Sequence, residues 1–170
     1  LENLGNDIQC SVFSIAEMQY TGNGPVQKKN AKGLLKTDAG NKVTGCKLAY
    51  YAVQNVTAVF DNTLERIKDA SYTHSLTEGD GNRYWISTDR SIAVYGYRHR
   101  ETKKRVYTIW KDDAIPGDDC EMTFLDFAFA GGGFEDPVLV DMITGGVYEI
   151  PAAQRSREGT IDRFRRIPVY

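Results

Sequence analysis

From Tyr72 to the end of the chain, apolar and polar residues alternate with period two in short runs separated by turn residues. No pattern of helical length intervenes. Because successive side chains of a strand point to opposite faces, such runs specify strands with one buried face. Ser91–Arg100 (SIAVYGYRHR) and Arg105–Lys111 (RVYTIWK) flank the polar turn Glu101-Thr102-Lys103-Lys104 and predict an antiparallel hairpin. A short strand is expected at Tyr84–Ser87. Met122–Ala130 alternates Thr123, Leu125, Phe127 and Phe129 against Met122, Phe124, Asp126 and Ala128, and ends at Gly131-Gly132-Gly133. Pro137–Ile143 and Gly146–Pro151 read as a hairpin about Thr144-Gly145, with Gly145 or Gly146 at positive φ. Ile161–Tyr170 alternates again. Strands joined by turns, with no helix between them, predict an antiparallel β-sandwich over residues 67–170.

Residues 1–66 follow a different grammar. Ile8–Ile15 (IQCSVFSI) reads as a short buried strand. The polar segment Glu17–Gly45 reads as a long loop, with a short strand or turn in NAKGLLKTDAGN ending at the bend Asp38-Ala39-Gly40-Asn41. Lys47–Asp61 (KLAYYAVQNVTAVFD) predicts a helix: Leu48, Ala52, Val56, Val59 and Phe60 recur at i, i+4, i+8, i+11 and i+12, and Tyr51 widens that face. Burial of Leu48, Ala52, Val56 and Phe60 is expected. A strand–loop–helix this small cannot cover both its faces, so it reads as the last βα unit of something larger.

Composition narrows the function classes. The chain has 170 residues, with 21 Lys and Arg against 23 Asp and Glu, a formal net charge of −2. That balance lacks the basic footprint of a nucleic-acid or anionic-lipid partner. No apolar run reaches the roughly 18 residues of a membrane span, and LENLGNDIQC has no signal-peptide pattern. Three cysteines (Cys10, Cys46, Cys120) and two histidines (His74, His99) match no metal-binding spacing, so neither metal nor cofactor is expected. Three reduced thiols and a Cys10–Cys46 disulfide both remain open. Gly-x-Ser-x-Gly, P-loop and dinucleotide-binding glycine patterns do not occur.

Three phrases carry a resemblance: SVFSIAEMQY, KNAKGLLKTDAGNKVTGCKLAYYAVQNVTAVFD and DPVLVDMITGGVYEIP. Together they resemble the C-terminal part of bacterial clan A glycoside hydrolases, the family 39-like β-glycosidases of polysaccharide-degrading bacteria in particular. The resemblance implies a fold in which the final unit of a (β/α)₈ barrel, residues 1–66, precedes a C-terminal β-sandwich. It implies a carbohydrate partner, a catalytic barrel portion missing from this chain, and a periplasmic or secreted location. Retaining enzymes of this kind use two carboxylates about 5 Å apart. The resemblance puts that pair on barrel strands that this chain lacks, and no Asn-Glu dipeptide ends a predicted strand here. No catalytic residue is therefore assigned.

Glu17, Gln19 and Tyr20 follow the first predicted strand, where a barrel opens on its substrate, and are the candidate substrate-binding residues. An ordinary solvated loop is the competing reading. Trp85, Trp110, Tyr95, Tyr97 and Tyr107 offer flat faces for sugar stacking, but Trp110 and Tyr107 fall on opposite faces of one strand, so most of these rings are expected in the core. Asp112, Asp113, Asp118, Asp119 and Glu121 have oxygen chemistry for calcium without a calcium-loop spacing. Arg155, Arg157, Arg163, Arg165 and Arg166 read as a solvated basic face. The sequon Asn55-Val56-Thr57 lies inside the predicted helix and is discounted. A glycoside hydrolase C-terminal region, a free-standing carbohydrate-binding β-sandwich module and a structural fragment without ligand are the rival functions; the stretch 8–61 favours the first.

Overall fold

The computed structural model describes residues 1–12, 14–21, 27–77, 92–112, 122–131 and 133–170. The expected strand Tyr84–Ser87, Trp85, Cys120 and the acids Asp113, Asp118, Asp119 and Glu121 lie outside them. The chain divides into two compact units, one of residues 1–61 with 140–147 and one of residues 62–139 with 148–170.

The first unit begins with a helical turn, α1 (Glu2–Gly5). Two antiparallel hairpins follow: β1 (Met18–Thr21) with β2 (Gln27–Asn30), and β3 (Leu35–Thr37) with β4 (Val43–Cys46). Helix α2 (Leu48–Val59) closes the unit. The expected bend forms: Asp38 Oδ1 accepts the Gly40 and Lys42 N–H groups, each at 2.9 Å, and Asn41 takes φ 61°.

Three expectations for this unit are corrected. The described residues of Ile8–Ile15 form no strand, and Ile8, Val12 and Ile15 are 55%, 51% and 72% exposed. An apolar run becomes a buried strand only where neighbours pair and cover it. Here the Ser14 and Ile15 carbonyls accept the Leu34 and Leu35 N–H groups at 3.1 and 2.9 Å, and the Ile8 N–H donates back to the Asn3 carbonyl at 2.7 Å. The segment Glu17–Gly45 is not a loop, because it holds both hairpins. Their strands, QKKN and VTGC among them, carry no apolar alternation and so gave no strand signal. Helix α2 forms close to its expected bounds, yet none of its residues is buried and Leu48 is 65% exposed. Ala52, Val56, Val59 and Phe60 are half-buried rather than buried. Residues 140–147 belong to the same unit, with the Asn55 amide donating to the Met142 carbonyl at 3.2 Å.

The second unit is antiparallel throughout its named pairings. A three-stranded sheet runs β5 (Leu64–Ile67), β7 (Ile92–His99), β8 (Arg105–Lys111). A four-stranded sheet runs β12 (Arg155–Glu158), β13 (Ile161–Val169), β9 (Thr123–Phe129), β6 (Tyr72–Leu76). Alternation explains the packing between them. Leu125, Phe127 and Phe129 of β9, beside Phe164, Ile167 and Val169 of the neighbouring β13, form one buried cluster with Ile92 and Val94 of β7. Each such side chain stabilises the fold by about 1.5–3 kcal/mol. Two antiparallel sheets thus share one core, as expected of a β-rich, sandwich-like unit. The hairpin β10 (Val138–Val140) and β11 (Val147–Glu149) also forms, with Gly145 at φ 77°.

The alternation of β13 is interrupted once. Phe164 pairs with Phe127 and Ile167 with Leu125, so Arg165 and Arg166 together oppose Asp126. This β-bulge puts Arg166 at φ 55°, and Asp126 Oδ1 accepts its N–H at 3.0 Å and the Thr77 hydroxyl at 2.5 Å. The extra residue shifts the parity so that Phe164, Ile167 and Val169 all point inward.

Candidate functional site

Glu17 sits just before β1 and is only 4% exposed. Its N–H donates to the Leu35 carbonyl at 2.9 Å, and its own carbonyl accepts the Thr37 hydroxyl at 3.1 Å, so its backbone is stitched to β3. The carboxylate is held from three sides. Lys47 Nζ lies 2.5 Å from Oε1, Lys29 Nζ lies 2.7 Å from Oε2, and the Thr37 N–H reaches Oε2 at 3.3 Å. Lys47 also donates to the Ala31 carbonyl at 2.6 Å. A buried carboxylate must be paired and hydrogen-bonded to stay charged. Here the Lys29 and Lys47 ammonium groups, foremost, hold the Glu17 carboxyl down at about 2.

That arrangement sets what Glu17 can do. At neutral pH it carries no proton to give, and each oxygen already accepts from an ammonium group. A general acid in glycoside hydrolysis needs the opposite, a carboxyl whose pKa is raised. Glu17 instead ties the start of β1 to β2, β3 and the residue before α2. Gly33 makes this possible: a Cβ there would fall 2.1 Å from the Ala16 carbonyl carbon and 2.2 Å from Glu17 N.

Gln19 and Tyr20 lie on β1 itself. The Gln19 N–H donates to Asn41 Oδ1 at 2.7 Å, its carbonyl accepts from Asn41 Nδ2 at 3.1 Å, and its side chain is half-buried. Tyr20 is 51% exposed. Adjacent strand residues point to opposite faces, so Gln19 and Tyr20 do not converge on one point, and the Glu17 carboxylate is turned inward.

Trp110 and Tyr107 lie on opposite faces of the three-stranded sheet, as expected. Tyr95, Tyr97 and Trp110, however, share the face away from the core cluster, so most of the described rings are not in that core. Tyr107 faces the core, its centroid 4.4 Å from that of Phe129. On the other face Tyr95 stacks on Trp110 at 5.4 Å and 21°, and the Arg66 guanidinium lies 4.7 Å over Tyr95 and 5.6 Å over Tyr97. Tyr97 is 5% exposed.

The remaining candidates have plain positions. Cys10 and Cys46 are exposed free thiols, not a disulfide. No group of three or more metal-ligating side chains occurs among the described residues, and none of the described helices is long and apolar enough to cross a membrane. Asn55 lies within α2, its amide donating to the Met142 carbonyl at 3.2 Å. Of the basic residues of the C-terminal strands, Arg157, Arg163, Arg165 and Arg166 are exposed and Arg155 is half-buried. Arg157 pairs with the buried Asp162 at 2.6 Å, Arg163 with Glu158 at 3.3 Å, and Arg166 lies over the Phe124 ring. Sequence pattern missed the partners of Glu17 and Asp162. Arg157 and Asp162 flank the tight turn between β12 and β13, which is the available signal; Lys29 and Lys47 leave none. No family model matches the chain, and no curated protein or solved structure is significantly similar to it.

Proposed function

We propose that the chain is the C-terminal, non-catalytic region of a bacterial glycoside hydrolase acting on plant or microbial polysaccharide. The second unit is its accessory β domain, and α2 belongs to the surface that a catalytic barrel covers. The observation that carries this reading is α2 itself. It is an amphipathic helix with no buried residue, Leu48 65% and Tyr51 48% exposed. Ala52, Val56, Val59 and Phe60 are half-buried. Apolar side chains of this size gain about 1.5–3 kcal/mol each on burial, so the part of the face left open at Leu48 and Tyr51 is completed by a further apolar layer. The state of Glu17 supports the non-catalytic half of the reading, because its carboxylate is ionised and held by two ammonium groups. A free-standing carbohydrate-binding module is the second reading, favoured by the Tyr95–Trp110 stack on the sheet face away from the core.

Two measurements test the proposal. The purified chain, given a panel of nitrophenyl glycosides, is expected to release no nitrophenol; turnover abolished by Glu17→Gln overturns the non-catalytic reading. The reading frame upstream of Leu1 is expected to continue for several hundred residues. A start codon immediately before Leu1 overturns the hydrolase-region reading in favour of the module.

A further inference from the structure

A cleft of about 600 Å³ opens on the second unit between the strap Phe134–Pro137 and strands β12 and β13. Phe134, Pro137 and Phe164 line it together with Arg155, Arg157, Ser156, Glu135 and Asp136, and its lining is about equally polar and apolar.

One wall is organised in advance. The buried Asp162 accepts Arg157 Nε on Oδ1 at 2.6 Å and the Phe134 N–H on Oδ2 at 3.3 Å, while Arg157 Nη2 donates to the Phe134 carbonyl at 3.1 Å. The Phe134 ring is packed edge-on against Phe164, centroids 5.2 Å apart. Guanidinium and ring are thus fixed to each other before any ligand arrives, which lowers the ordering cost of binding. Arg155, half-buried on the same wall, forms no ion pair with a described residue.

We propose that this cleft binds a neutral glycan, with one pyranose laid on the Phe134 ring. The proposal rests on the reading of the chain as serving a polysaccharide-degrading enzyme, and it names where the sugar sits. Three features select this chemistry. The half-buried Phe134 ring in the lining suits the apolar C–H face of a sugar ring. Sugar hydroxyls each donate and accept, and the walls supply both: guanidinium and hydroxyl donors, carboxylate and hydroxyl acceptors. Charged groups make the stronger bonds to such neutral partners. The lining holds three carboxylates (Glu135, Asp136, Asp162) against two guanidinium groups, which disfavours an acidic sugar.

The test is a titration of the ¹⁵N-labelled chain with cello-, xylo-, manno- and laminarihexaose and with hexagalacturonate, followed by amide shifts and calorimetry. The expected result is saturable shifts at Phe134, Arg155 and Arg157 with at least one neutral hexaose. Arg155→Gln should weaken that affinity about tenfold or more, as expected for one lost charge-assisted hydrogen bond. Phe134→Leu should weaken it comparably. Because Phe134 also packs on the core, its fold is checked by the same spectrum, and Arg155→Gln alone suffices if Phe134→Leu unfolds. No shift with any neutral hexaose, or tighter binding of hexagalacturonate, overturns the proposal. Shifts confined to the Tyr95–Trp110 face overturn it while leaving the carbohydrate reading of the chain intact. The upstream reading frame tests the hydrolase reading independently of all these outcomes.

Discussion

Gly33→Ala is the sharpest single test of how the first unit is built. Gly33 is buried, and an added Cβ would meet the Ala16 carbonyl carbon at 2.1 Å, Glu17 N at 2.2 Å and the Ala16 oxygen at 2.6 Å. Ordinary van der Waals contact begins at 3.4 Å, so backbone must part by more than an ångström. The two segments that part are those joined by Leu34 N–H to the Ser14 carbonyl, Leu35 N–H to the Ile15 carbonyl, and Glu17 N–H to the Leu35 carbonyl. Overpacking of this kind costs about 1–3 kcal/mol. Each backbone hydrogen bond loosened adds about 0.5–1.5 kcal/mol. The lower chain entropy of the unfolded alanine variant offsets only about 0.4–1 kcal/mol. A net loss of about 2–5 kcal/mol follows, a large share of the roughly 4–10 kcal/mol expected for a unit of this length.

Urea unfolding followed by circular dichroism, with amide exchange at Thr37 as the local probe, measures that loss. The matched control is Gly45→Ala, where a Cβ meets nothing within 4 Å and the expected change stays within about 0.5 kcal/mol. Equal midpoints for the two variants, with Thr37 exchange unchanged, would refute the close approach of Gly33 to the Ala16–Glu17 peptide.

The Glu17 carboxyl is held at about 2 by Lys29 and Lys47, so its stabilisation is full above its ordinary value of 4.5 and is lost as pH falls from there towards 2. Unfolding midpoints of Glu17→Gln should be lower than wild type at pH 7 and converge with it over that window; parallel curves down to pH 2 would count against the pairing. Leu125→Ala, at a side chain only 1% exposed, should cost about 3–5 kcal/mol in urea titration. Deleting Arg166 should be tolerated within about 1 kcal/mol, because it removes the bulge and its positive φ while keeping Phe164, Ile167 and Val169 inward. Deleting Arg163, which pairs in regular register with Ala128, throws Phe164 to the outer face and should cost more than about 3 kcal/mol.

The second unit was legible because one physical cause, burial of a single strand face, writes itself into the sequence with period two. Thr123, Leu125, Phe127 and Phe129 are at once the alternating residues of the pattern and the buried face of β9. The expected alternation of Ile161–Tyr170 fails once, on β13, where the inward step from Phe164 to Ile167 is three residues rather than two. The first unit obeys other causes. Its strands are held by backbone hydrogen bonds and by one carboxylate shared between Lys29 and Lys47, and neither leaves a period. Charge pairing needs two residues to meet in space, and their separation along the chain is free to take any value. The same reasoning explains the helix. The apolar spacing from Leu48 to Phe60 specifies which face α2 would bury, but burial also needs an opposing layer, which an element's own sequence does not encode. A stripe that is half-buried at Ala52, Val56, Val59 and Phe60 but open at Leu48 and Tyr51 therefore speaks about a partner of the helix as well as about the unit that contains it. For that reason α2, rather than the candidate acid Glu17, carries the proposed relation to a larger enzyme.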